Sequence, residues 1–399
     1  MSLERLLAAR AGAIQESVIR RVFEEARGVV DPINLTLGQP DFPVHEAVKA
    51  AAIEAIRHDR NGYSSNRGLD SLLDRLGRRL TVDLGWEIGS GGAGTPGGAG
   101  LMVTSGTSGA LVCAAMCLLD PGDEIIIPDP YFVLYPRLAE MTGGRAVPCD
   151  TYPDFRMTAA RVEGLITPRT KAVIVCSPSN PCGVVNSERE MADLRDLCLR
   201  RGVVLISDEI YDEFTFSESL TSVRAGDARQ RCCPSPGRGP RAWEGCLVVR
   251  GFGKTYGFTG WRLGYAAGPK WLIDQMVKVQ QHLYICAPTP LQHAATAALD
   301  VDMSGIIARY QNRRDMVVAR LSEVTEVPMP GGAFYAFAKV PERMGMSASA
   351  FKEAAKARSV LVVPGTAFSA RDTHVRLSYA VAEPVLERGL AILCDLMRR

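Results

Sequence analysis

Residues 171–208 read KAVIVCSPSNPCGVVNSEREMADLRDLCLRRGVVLISD. Lys171–Cys176 and Val203–Ser207 are short, nearly continuous apolar runs. Between them Ser187–Arg201 carries a helical pattern. Ser187 and Glu190 have the spacing of a capping box, and Gly202 stands just past the helix end. Strands apolar on both faces and joined through a helix predict a largely parallel sheet covered on both sides. The same alternation extends outward through candidate strands Leu101–Thr104, Glu124–Ile127 and Cys246–Arg250. From about His293 the pattern changes to long helices with a few strands, Ala333–Lys339, Val360–Val363 and His374–Tyr379. The expected organisation is α/β: a large domain over 45–290, a smaller α+β domain over 291–399, and an N-terminal segment, 1–44, docked on the small domain. Gly89–Gly100 and Gly226–Gly245, rich in Gly, Pro and small or basic residues, read as two loop excursions, the first too flexible to pack.

The composition narrows the function classes. The chain has 399 residues, 47% hydrophobic and 23% charged, which suits a large buried core. A net charge of +2 gives no reason to expect nucleic acid or an anionic membrane as partner. Eleven cysteines are scattered without the spacing of a metal site or a disulfide framework, so reduced thiols and no metal are expected. The longest apolar run, Ala110–Leu119, is too short to span a bilayer, and no signal-peptide pattern opens the sequence. A cytoplasmic protein is the expectation.

Open parallel sheets bind ligands beyond the carboxyl ends of their strands. Four polar signals fall at such ends. TSGTSGAL (104–111) follows one strand and opens a helix, where backbone N–H groups and hydroxyls suit an anion. SPSNPCG (177–183), SDEIYDEF (207–214) and Lys254 follow three others. Each alone has a plainer reading: a turn, a helix cap, a solvated lysine. TSGTSGAL lacks the third glycine of a dinucleotide fingerprint, and Val248 stands where a nucleotide P-loop ending in Gly253-Lys254-Thr255 needs its first glycine. Together they place an anion loop, an amide, a carboxylate, a phenol and an amine on one rim.

The order of these motifs resembles that of fold-type I pyridoxal 5′-phosphate (PLP) enzymes, specifically class I/II aminotransferases of the aspartate, alanine and aromatic group. It rests on LTLGQPDF (35–42), GYSSNRGLDSLLDRL (62–76), TSGTSGAL, DPYFVLY (129–135), SPSNPCG, SDEIYDEF, GKTYGFTGWRLGY (253–265) and HVRLSY (374–379), nearly the whole chain. The resemblance implies a transfer of the amino group of an L-amino acid to a 2-oxo acid, with Lys254 holding the cofactor as a Schiff base and shuttling a proton. Asp208 would pair with the pyridine nitrogen. Tyr211 and Asn180 would hydrogen-bond the ring's 3′ oxygen, and Phe132 would stack on the ring. Thr107, Ser108 and Arg262 would bind the phosphate, with Tyr63 reaching over from the second subunit of a homodimer. Arg376, Asn180 and Gly38 would receive the substrate α-carboxylate. Trp261 reads as packing.

Two departures stand out. Similar proteins carry Ser-x-Ser before the lysine, where this chain has Gly251 and Gly253, so Gly251→Ser is expected to tighten the cofactor unless Thr255 or Tyr256 supplies the contact. Ser108 stands where some aspartate-specific relatives carry a lysine, so a broad enzyme accepting alanine-like or aromatic donors at least as well as aspartate is expected, unless an arginine from the partner subunit or one such as Arg20 or Arg21 intervenes. The same cage would serve a carbon–sulfur lyase or decarboxylase. A non-catalytic regulator of this fold would need a DNA-binding domain ahead of LTLGQPDF, for which no room is expected.

Overall fold

The computed structural model describes residues 3–14, 18, 21, 24, 28–222 and 231–398. Its large sheet has seven strands, β1 (Ala99–Thr104), β2 (Glu124–Asp129), β3 (Arg145–Asp150), β4 (Thr170–Cys176), β5 (Val204–Asp208), β6 (Cys246–Gly251) and β7 (Gly264–Pro269). They lie in the order β1-β7-β6-β5-β4-β2-β3. Strand β7 runs antiparallel to both of its neighbours, and the remaining pairs are parallel. The reversal matters for the site: the start of β7 lies at the same rim as the ends of β1 and β6, with Gly264 opposite both Thr104 and Gly251.

The twofold alternation of side chains divides β4 between two helical layers. Ala172 and Ile174 pack with Ala110 and Leu111 of helix α1 (Gly106–Leu118). Val173 and Val175 pack with Met191, Leu194 and Leu197 of helix α2 (Glu188–Arg201). Fully buried, Val173, Ile174 and Val175 contribute about 1.5–3 kcal/mol each. Helix α2 starts with the expected capping box, Ser187 Oγ accepting from the Glu190 amide, and ends at Gly202 in the left-handed region (φ 68°).

Two strands escape the sequence pattern. β3 is an edge strand with mostly partly exposed residues, and β7 is built from Gly, Ala, Tyr and Pro rather than β-branched residues. The 89–100 stretch corrects the expectation of a loose loop. Gly92 is buried, the Gly91 amide donates to Asp74, and Ala99 already belongs to β1. Packing on the neighbouring helix (Asp70–Leu84) orders a sequence that has little intrinsic preference. Of the second excursion, 226–230 lie outside the described residues. Cys233–Gly237 are buried, with Trp86 Nε1 donating to the Gly237 carbonyl, so this part is internal packing rather than a surface loop.

A second sheet joins Tyr335–Lys339 to His374–Ser378 and Val363–Pro364, all antiparallel. Its first strand packs on α3 (Ser304–Ser322), which in turn packs on α4 (Glu383–Arg398). Ile33–Asn34 pairs in parallel with Val360–Leu361, and the Ser378 amide donates to the Leu35 carbonyl. This hydrogen bonding carries the chain past Thr36 and Gly38 to the rim of the large sheet.

Candidate active site

At that rim a cavity of about 280 Å³ opens between the two sheets. After β1 the chain turns through Gly106 (φ 67°) into α1. A Cβ on Gly106 would lie 2.7 Å from Arg262 Nη2, so the absence of a side chain lets the guanidinium close on the turn. Ser105 makes no side-chain cap to α1, and Gly106, Thr107 and Ser108 at the helix start line the cavity. Arg262, itself at positive φ, leads directly into β7. Open amides, two hydroxyls and a guanidinium form a cradle for an anion.

Lys254 follows β6 and lines the same cavity, its ammonium donating to the Gly38 carbonyl. Burial, reinforced by the cationic Arg376 and Arg262, lowers its pKa to about 8. Asp208 ends β5 and is 3% exposed. Its Oδ2 accepts from the Tyr135 hydroxyl at 2.8 Å and its Oδ1 from the Ile210 amide at 3.3 Å. It takes part in no ion pair among the described residues, and burial pushes its pKa up to about 6 against the opposing Tyr135 hydrogen bond.

Another wall of the cavity draws on the second sheet. Arg376 donates through Nη1 to Asn180 Oδ1 at 3.0 Å and through Nη2 to the Thr36 carbonyl at 2.8 Å. Its Nε is buried without a partner, and its guanidinium lies over the Tyr335 ring, 4.5 Å from the centroid. Tyr335 also shares a 2.9 Å hydrogen bond with the Tyr211 hydroxyl. A Cβ on Gly38 would stand 3.2 Å from the Tyr335 hydroxyl oxygen, a tight approach that favours glycine.

The cavity thus gathers Lys254, Asp208, Tyr211, Asn180, Arg376 and Gly38 with Thr107, Ser108, Phe132 and Arg262. Phe132 is partly buried and packs edge-on to Tyr135, with ring centroids 5.7 Å apart. Tyr63 does not line this cavity within one chain and is 81% exposed. Sequence reading missed Tyr135, Tyr335 and Cys176, which also line it. Tyr135 lies inside the DPYFVLY motif, so the signal was present. Nothing local marks Tyr335, whose partner Tyr211 is 124 positions away. Thr255 and Tyr256 do not line the cavity, and Trp261 stacks on Phe258 as packing.

Comparison with known proteins agrees with this geometry over almost the full length. The profile of the family Aminotransferase class I and II matches residues 30–393. The chain is 36% identical to the putative aminotransferase YugH of Bacillus subtilis, over 94% of each protein. It is 31% identical to aromatic-amino-acid aminotransferase 2 of Thermococcus litoralis over 96% of each. The Thermus thermophilus aspartate aminotransferase solved with maleate superposes with a TM-score of 0.87 at 32% identity, covering 98% of this chain and 99% of that one. The chain belongs to the class I and II aminotransferases, enzymes that use pyridoxal 5′-phosphate to move amino groups between amino acids and 2-oxo acids.

Proposed function

We propose that the cavity around Lys254 is the aminotransferase site and that its amino donors are L-amino acids without a second carboxylate. The residues present fit the cofactor on their own chemistry. Asp208 is a buried carboxylate with no cation, the partner that a protonated pyridine nitrogen provides. The open start of α1 and Arg262 suit a phosphate dianion. Phe132 offers an apolar wall for the ring.

PLP supplies an electron sink for negative charge developing at the substrate Cα. Lys254 holds it covalently through Nζ and, once released, moves the proton at Cα. An amine with pKa about 8 is neutral often enough to do both near neutral pH. Tyr135 fixes the Asp208 carboxylate through its Oδ2. Tyr335 shares a hydrogen bond with the Tyr211 hydroxyl and would hold it in place for a contact to the ring oxygen. Arg376, whose hydrogen-bond partners among the described residues are neutral acceptors, would take the α-carboxylate.

The observation that carries the choice of substrate is the count of cations. Among the described residues Lys254, Arg262 and Arg376 line the cavity, and each already has a task. Ser108 adds no charge. Arg20 lies outside the described residues, and Arg21 is exposed. A second buried carboxylate without a cation costs several kcal/mol. The active unit in this reading is a homodimer in which Tyr63 completes the neighbour's phosphate site. The division into 1–44, 45–290 and 291–399 follows from the same reading. So does a cytoplasmic location, in keeping with eleven free cysteines; no helix among the described residues is long and apolar enough to cross a membrane.

The test is kcat/KM for aspartate, glutamate, alanine and phenylalanine with matched acceptors. Alanine or phenylalanine should match or exceed aspartate. A hundredfold preference for aspartate, about 2.7 kcal/mol of transition-state discrimination, would overturn the substrate assignment.

A further inference from the structure

Position 251 is closed on three sides. A Cβ there would stand 2.7 Å from Ile210 Cδ1, 3.1 Å from Thr107 Cγ2 and 3.4 Å from the Leu263 carbonyl oxygen. The first distance is a clash, and the second leaves no slack. Thr107 cannot retreat toward β7, because a Cβ on Gly264 would already meet the Thr107 nitrogen at 2.8 Å and the Gly106 carbonyl carbon at 2.7 Å. That packing fixes the turn against the β7 backbone. Ile210 can yield only by turning its δ-methyl, and it lines the cavity itself. A side chain at 251 therefore requires Ile210, which lines the cavity, to change the rotamer of its δ-methyl.

We propose that Gly251, Ile210 and Thr107 form one matched set: Ile210 and Thr107 occupy the volume of a side chain at 251, and the Thr107 hydroxyl supplies the phosphate contact that a serine at 251 would offer. Thr107 fits the second role because it lines the cavity at the open start of α1 and makes no side-chain hydrogen bond among the described residues. The inference rests on the assignment of the cavity to PLP. It reverses the expectation that Gly251→Ser tightens the cofactor.

The test is the dissociation constant of PLP, read by absorbance titration of apoprotein, with a thermal melt of each variant to confirm folding. Gly251→Ser should weaken binding by about tenfold or more. Adding Ile210→Val, which deletes the δ-methyl, should return Gly251→Ser to within about threefold of Ile210→Val alone. Thr107→Val keeps the methyl and loses the hydroxyl, and should weaken binding about ten- to a hundredfold. Thr107→Ser should stay within about threefold of the parent. This arm decides the second half even if Gly251→Ser does not fold. Tighter PLP binding in Gly251→Ser, no relief from Ile210→Val, or parent-like binding in Thr107→Val would each overturn the proposal. A parent protein that binds no PLP would instead sink the assignment of the cavity.

Discussion

Asp208 and Glu209 are neighbours at the end of β5, both nearly inaccessible, yet their surroundings are opposite. Glu209 accepts from Ser207 Oγ at 2.8 Å, Ser235 Oγ at 2.6 Å and Arg250 Nε at 2.8 Å. Among the described residues Asp208 accepts only from the Tyr135 hydroxyl and the Ile210 amide. Two buried arginines repeat the contrast. Arg250, 3% exposed, is ringed by Asp83, Glu209 and Asp212. Among the described residues Arg376, 1% exposed, donates only to Asn180 and a carbonyl, with Nε unpaired. Burial does not separate the pairs; completeness does. A buried charge left incomplete is costly unless a ligand completes it, and two such charges in one cavity are what support the proposal that both meet a ligand there.

The largest difference should appear between the two carboxylates. Asp208→Ala is expected to lose about a thousandfold in kcat while still binding PLP, because the cofactor's nitrogen loses its counter-charge. Near-parental turnover would break the comparison at its first member. The arginines should separate by kind of effect. Arg376→Met should raise KM for every amino acid and 2-oxo acid by about a hundredfold, through loss of a charge-assisted pair. Arg250→Met should leave Glu209 and Asp212 without their ion-pair partner, Asp83 keeping Arg238, and cost about 3–5 kcal/mol of stability by denaturant unfolding. KM effects of similar size from both would erase the distinction.

The contrast also explains how much the sequence could say. Lys254, Asp208 and Asn180 were legible because each follows an apolar strand whose end can be read locally. Arg376 was legible through its motif. Their state of pairing was not legible. That Glu209 is complete depends on Ser235 and Arg250, 26 and 41 positions away, the first within a stretch read as a loop excursion. Tyr335 depends on contacts with Tyr211, 124 positions away beyond the end of β5, and with Arg376 on the neighbouring strand. Strand β7 was missed because its buried Gly, Ala and Pro are chosen for close approach, as at Gly264, rather than for β-propensity. The 89–100 stretch was misread for a related reason: contacts with Asp74 and Arg67 order residues that propensity leaves free.

A smaller effect sharpens the account of Lys254. Only the neutral amine attacks the cofactor aldehyde, and its fraction grows as pH rises through the pKa. Since burial and the two arginines hold that pKa near 8, capture of PLP by apoprotein should speed up with pH and level off above a midpoint of about 8. The expectation is a stopped-flow profile with that midpoint. A rate still climbing toward the ordinary lysine value near 10.5 would mean that the amine is not held in this environment.

The central claim is that the amine at this rim carries the cofactor, and covalent trapping tests it most directly. Holoenzyme reduced with borohydride and digested should yield a single pyridoxyl-labelled peptide, with the label on Lys254. A label on any other lysine, or a protein that takes up PLP without becoming labelled, would contradict the account.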